Sequence, residues 1–285
     1  MSKSTHFIGQ PLLGQLLSLI DQVDVHRISK KHGGEHYVKH FDAWHHLVTM
    51  LYAIIMRFDS LREIQLSMTA ESRKLSHLGL TKIPKRSTLS DANVRRSEVI
   101  FGELYATLYD KHKGVLSSDS RNRGSTPSWL RKLKIMDSTT ISLFSNLVFK
   151  GVGRNPKRGK KKLISLLTND FEMPQQDIID IYRKRWMIET LFKQLKQNFP
   201  LRYFYGESAN AIKIQVWCTL IANLLLMLIK RSVRRSWSFS GLATMIRILM
   251  MYYVNYKSIL EYPEKDWDLM IEEVIRPPNH LSLFD

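Results

Sequence analysis

The stretch Ile181-Tyr182-Arg183-Lys184-Arg185-Trp186-Met187-Ile188-Glu189-Thr190-Leu191-Phe192-Lys193-Gln194-Leu195-Lys196 decides how this chain is read. Within it Tyr182, Arg185, Glu189 and Lys196 fall at offsets of 0, 3, 7 and 14. At about 100° per residue, a helix gathers these four side chains into one stripe roughly 60° wide. A carboxylate flanked by two permanent cations and a phenol can hold a metal ion while its neighbours grip phosphate oxygens. The chemistry such a face suits is the cutting or joining of nucleic-acid strands.

The charge balance points to the same partner. The chain carries 43 Lys and Arg against 26 Asp and Glu, a formal charge of +17, which favours polyanions. The cations are clustered: Arg154 to Lys162 packs six of them into nine residues, and 82–96, 121–134 and 230–235 form further patches. Each patch can neutralise several phosphates. The single Cys218 sits inside the apolar run Trp217 to Ile229, which excludes disulfides within the chain and cysteine zinc sites and indicates a reducing compartment. That run and the stretch Leu47 to Met56 are shorter than the roughly 20 residues that cross a bilayer, and the N-terminus lacks a signal-peptide pattern. A cytoplasmic, nucleoid-associated protein with no membrane partner is expected. A Gly-x-Ser-x-Gly elbow and a Gly-x4-Gly-Lys-[Ser/Thr] loop are both missing, so hydrolase and nucleotide-dependent chemistry find no support.

With 285 residues and 44% hydrophobic content the chain can bury a real core, expected as two lobes. Helical spacing of Leu47, Leu51, Ile54, Ile55 and Phe58 predicts a helix or helix pair over 37–68. The segment Ile83-Pro84-Lys85-Arg86-Ser87-Thr88-Leu89-Ser90-Asp91 predicts a proline loop feeding a Ser-capped helix that runs on through Arg95, Arg96, Phe101, Leu104 and Leu108. A basic helix start of this kind can seat a phosphate or enter a DNA groove, which makes Lys85, Arg86, Arg95 and Arg96 candidate DNA contacts. His36 and His40 would meet on a helix, but no carboxylate or cysteine is placed to complete a metal site. Residues 116–128 are expected to be a linker between a helical domain over 1–115 and a second domain over 129–285. Leu133 to Phe144, with Asp137 inside it, and Leu163 to Thr168 predict short strands. A long helix starting near Pro174 carries the four-residue stripe, and Ala211 to Lys230 and Phe239 to Tyr253 predict apolar helices. The expected class is mainly α with a small β component.

On these residues the chain resembles the DDE transposases of bacterial insertion sequences, in the family-four branch marked by Tyr-x2-Arg-x3-Glu-x6-Lys. Tyr182, Arg185, Glu189 and Lys196 match that signature without a gap, and Met136-Asp137-Ser138-Thr139 is similar to the strand bearing the family's first catalytic Asp. The resemblance implies an N-terminal helical domain that recognises the element's terminal inverted repeats. It also implies an RNase H-like α/β catalytic domain using Mg²⁺ or Mn²⁺, with Asp137 and Glu189 as catalytic metal ligands and Tyr182, Arg185 and Lys196 placing DNA. Strand cleavage and transfer by two metals needs carboxylates that hold both ions roughly 3.5–4 Å apart.

The family's middle Asp has no counterpart. Only Asp170, Asp177 and Asp180 lie between Asp137 and Glu189. On the continuous helix Asp177 is about 18 Å from Glu189 along the axis, and Asp180 points to the opposite face. The sequence between the two expected ligands is too short for the strands of a complete RNase H-like sheet, and Lys160-Lys161-Lys162-Leu163-Ile164 reads as the scar of an in-frame deletion. The expectation is therefore an incomplete, catalytically defective transposase-family protein, forming homo-oligomers or mixed oligomers with intact enzyme. Two rivals remain: a non-catalytic DNA-binding protein that competes with intact transposase, and a regulator whose basic loop binds any polyanion.

Overall fold

The computed structural model describes residues 10–76, 78–80, 82–116 and 188–264. At their centre is α3, Ala43–Met56, whose sequence AWHHLVTMLYAIIM is apolar nearly all round and is buried at almost every position. A helix of that kind has no solvent face and must be covered on all sides. Asp42 starts it, its carboxylate accepting the His45 backbone N–H at 2.8 Å, and Arg57 ends it in the left-handed region with φ of +64°. Around it lie α1 (Leu12–Leu17), α2 (Gln22–Lys31), α4 (Leu61–Ala70), α5 (Ser72–Ser76), α6 (Arg86–Arg95) and α7 (Val99–Leu116). Helical residues 188–198 form α8, followed by α9 (Ala209–Ser232), α10 (Phe239–Leu249) and α11 (Tyr256–Glu261).

The second half of the chain completes the core of the first. α9 packs against both α3 and α7, burying Ile214, Cys218, Ile221, Ala222 and Leu225. Each of the isoleucine and leucine side chains contributes roughly 1.5–3 kcal/mol by leaving water. At 24 residues α9 is longer than its apolar run and long and apolar enough to cross a membrane; in this fold it is a core helix. Its buried Gln215 is satisfied on both sides, donating to the carbonyls of Pro200 and Tyr203 at 3.0 and 2.8 Å and accepting from the Tyr205 N–H. Arg247 of α10 donates to the Ile55 carbonyl at the end of α3 (2.8 Å) and to the Asn198 carbonyl at the end of α8 (3.3 Å), serving two helix C-termini. The Leu12 and Leu13 N–H groups bond the Tyr252 and Met250 carbonyls, both at 2.9 Å, so α1 is stapled to the segment after α10.

Among the described residues, 10–116 and 188–264 share a single hydrophobic core. The helix or helix pair predicted over 37–68 is a pair, α3 and α4, preceded by a loop up to Asp42. The helix predicted to run from the proline loop through Leu108 breaks at Arg96, which takes an extended ψ of 125°. Asn210 holds the break, its Nδ2 donating to the Asn93 and Arg96 carbonyls at 2.8 Å while its Oδ1 accepts the Glu98 N–H, and Ser97 Oγ caps the next helix by accepting the Val99 N–H. No strand pairing forms a sheet among the described residues. The strands expected at 133–144 and 163–168, the linker and the RNase H-like sheet lie outside them.

Candidate nucleic-acid interface

Helix α6 is held by very little of its own surface. Leu89 and Asn93, four residues apart on one face, are buried; Arg86, Ser87, Thr88, Ser90, Asp91, Val94 and Arg95 are exposed. The first turn is fixed from outside, since Lys85 provides no side-chain cap and the Arg86 N–H donates instead to Gln65 Oε1 of α4 at 3.0 Å. This corrects the Ser-capped start expected from the sequence. Lys82, Lys85 and Arg86 are exposed at this end and Arg95 at the other. The outward face between them is short and lightly charged, mostly serine and threonine with Val94. Hydroxyls and a small branched side chain can meet base edges and the thymine methyl, while cations at both ends hold phosphates. Arg95 also pairs with Asp91 at 2.9 Å, but the pair is too exposed to contribute much.

The buried side of α6 ends in a polar network. Asn93 Oδ1 accepts from His46 Nε2 at 2.8 Å, and Asn93 Nδ2 donates to the Tyr205 carbonyl at 3.4 Å, linking α6 to α3 and to the segment before α9. Burial, with the nearby Arg96 charge adding to it, pushes the His46 imidazole down to about 3, against the raising effect of the Asn93 bond. The ring is therefore neutral, with its proton on Nε2. Arg96 itself is not on the exposed face of the helix end. It is 5% exposed, and its Nε and Nη2 donate to the carbonyls of Gly34 and Phe41 at 3.3 and 2.8 Å. Burial lowers its pKa, opposed by the charges of Glu35 and Asp42. The expectation that Arg96 contacts DNA is corrected on this ground: a guanidinium turned into the protein cannot grip a phosphate outside it.

Of the signature stripe, Glu189 and Lys196 lie on α8; Tyr182, Arg185 and Asp137 are outside the described residues. α8 turns Leu195 and Phe199 into the core and ties Gln194 Nε2 to Asn223 Oδ1 of α9 at 2.7 Å. Glu189 and Lys196, seven residues apart, lie on the same flank of the helix, about 10 Å apart along its axis. Glu189 is half-buried and Lys196 exposed. Among the described residues no group of three His, Cys, Asp or Glu side chains could hold a metal ion, and Glu189 is the one expected ligand they include. A single carboxylate does not by itself build a two-metal site. His36 and His40 lie in the loop before α3, not on a helix.

Sequence reasoning missed Asn93, Asn210 and His46, the side chains that set α6 in place. Asn93 and His46 sit at helical positions otherwise filled by apolar residues, a polar interruption that was the available signal. Asn210, two residues after the Ser208 cap of α9, carried none.

A family model described as a domain of unknown function (DUF4372) matches residues 8–81. A Sinorhizobium fredii protein named as the transposase y4zB is 35% identical over 105 residues, 34% of this chain and 28% of that protein. A transposase for the insertion sequence element IS4SA from Synechocystis is 43% identical over 54 residues, 19% of this chain and 16% of the relative. A transposase for the element IS5377 from Geobacillus stearothermophilus is 33% identical over 63 residues, 22% and 17% of the two chains. The matches thus span less than a third of the length of these curated relatives. No solved structure matches the chain. The likeness over these stretches is to proteins named as transposases of insertion sequences.

Proposed function

We propose that this chain binds the terminal inverted repeats of an insertion sequence through its helical body, with α6 as the element that meets duplex DNA, and that this copy does not cleave. The observation that carries the DNA reading is the exposed, lightly charged outer face of α6 between Lys82, Lys85 and Arg86 at one end and Arg95 at the other. The net charge of +17 and the named transposase relatives support it. Tyr182, Arg185 and Lys196 are assigned to the DNA backbone, and Asp137 and Glu189 to the metal ligands of the ancestral two-metal centre, on the signature alone. The missing middle Asp supports the defect, because two ions need more carboxylates than these. The reading places the protein in the cytoplasm, on DNA, as a competitor of intact transposase or its partner in mixed oligomers.

Purified chain, labelled element ends and Mg²⁺ or Mn²⁺ provide the test. Protection of the terminal repeats without nicking is the expected result. Metal-dependent nicking that Glu189→Gln abolishes would refute the defect. Equal binding to scrambled duplexes would refute recognition of the repeats. Replacing Lys85 or Arg86 with Ala is expected to weaken binding to all sequences and to lower the salt slope by about one per lost phosphate contact. Replacing Ser90 or Val94, which offer no charge, should change sequence preference and leave that slope alone.

A further inference from the structure

The loop between α2 and α3 presents Tyr37 in a way its own folding does not require. The ring is 91% exposed, and the backbone beneath it has a φ of +58°, a region that side chains larger than glycine or asparagine rarely occupy. Both features are unfavourable, and a free loop would relax out of them. This loop is held. Arg96 donates to the carbonyls of Gly34 and Phe41, drawing its two ends together. Glu35 turns inward to accept from Ser29 Oγ at 2.7 Å and from the Ala43 N–H at 3.0 Å. At the loop's start a Cβ on Gly34 would lie 2.5 Å from both Ile100 Cδ1 and Ser29 Oγ, so any other residue there would push those side-chain ends aside and disturb the Ser29–Glu35 bond.

The clamp also sorts charge. Glu35 is committed to internal partners, and Asp42 is committed to His45 Nδ1 at 2.6 Å and to His26. The side chains left outward are Tyr37, Lys39, His36 and His40, with the His36 ring 4.0 Å from that of Tyr37 at 70°. An exposed aromatic surrounded by aliphatic neighbours would fit a protein partner. Here the neighbours are imidazoles and an ammonium group, which fit a base and its phosphates.

We propose that the loop 34–41 is a stacking platform for an unpaired nucleobase in DNA, with Tyr37 as the receiving ring and Lys39 as the contact to the adjoining phosphate. The proposal rests on the DNA-binding reading above. It adds a second contact, and because Arg96 also closes α6, the platform and the duplex-binding helix share one anchor. Strain held at a ligand clamp is a recognised use of positive φ in non-glycine residues.

Fluorescence anisotropy of the full chain with two labelled hairpin duplexes, identical except for one bulged thymine, tests it. The unaltered chain is expected to bind the bulged duplex roughly five-fold or more tightly, the worth of one stacked base. Tyr37→Gly, which relieves the positive φ and so keeps the fold, should erase that preference while leaving affinity for the perfect duplex and the melting temperature no lower. Tyr37→Trp should retain it. A chain without the preference, or a Tyr37→Gly variant that keeps it, overturns the proposal. These outcomes are independent of the repeat-recognition test, which compares terminal-repeat with scrambled duplexes and does not involve Tyr37.

Discussion

His46 carries the clearest residue-scale consequence of burial. The unfolded chain binds a proton on it below about 6.5, and the folded chain refuses that proton down to about 3. Protons are thus taken up on unfolding, so the stability His46 supports is present above pH 6.5 and is lost progressively as pH falls through that window. Urea unfolding between pH 7 and pH 4 is expected to show this decline, and His46→Gln, which can still donate to Asn93, should flatten it. His45 acts in the opposite sense. Its bond to Asp42 raises its pKa, so its contribution is full below about 6.5 and fades as pH rises through the folded value. Burial alone would raise the Asp42 carboxyl, but bonds from His45 and His26 outweigh it and hold the group well below the usual carboxylate range.

At the scale of elements, α6 and α7 stand apart because one asparagine separates them. Asn210→Ala removes the donor to the Asn93 and Arg96 carbonyls and the acceptor for the Glu98 N–H. A loss of roughly 2–3 kcal/mol is expected in denaturant unfolding, since the buried partners are left unsatisfied. A further drop in affinity for duplex DNA should accompany it as α6 loses its register. This break also shows what a sequence can and cannot convey. The helices α3, α9 and α10 were legible because each is a sustained apolar segment of helical length. The interruption at Arg96 was harder to read: locally only Ser97 signals it, its Oγ accepting the Val99 N–H at 3.3 Å, and the other competing hydrogen bonds come from a residue more than a hundred positions away. Lys85, Arg86 and Arg95 were legible as surface cations, while Arg96 was misread beside them because its burial depends on the loop 34–41 folding under it. Cys218 was rightly placed in the core, and burial pushes its thiol up.

For the whole molecule, the shared core decides what can fold alone. A fragment ending at residue 116 would expose the faces of α3 and α7 that α9 covers, and the N–H groups of Leu12 and Leu13 would lose their acceptors. Such a fragment is expected to bind a hydrophobic dye and melt without cooperativity, and mixing in residues 188–264 should restore a cooperative transition. A fragment that melts cooperatively by itself would show that the N-terminal helices form an independent domain.

The same arrangement has an evolutionary corollary. Residues 116 and 188 both lie on helices packed into one core, so the described body is assembled from both sides of the span between them. On the proposed reading, genes that lose codons between these anchors would forfeit cleavage while keeping the helices assigned to DNA binding. Their products could persist in the cell and occupy the sites on which an undamaged sister copy depends, so a crippled mobile element would restrain its own kin.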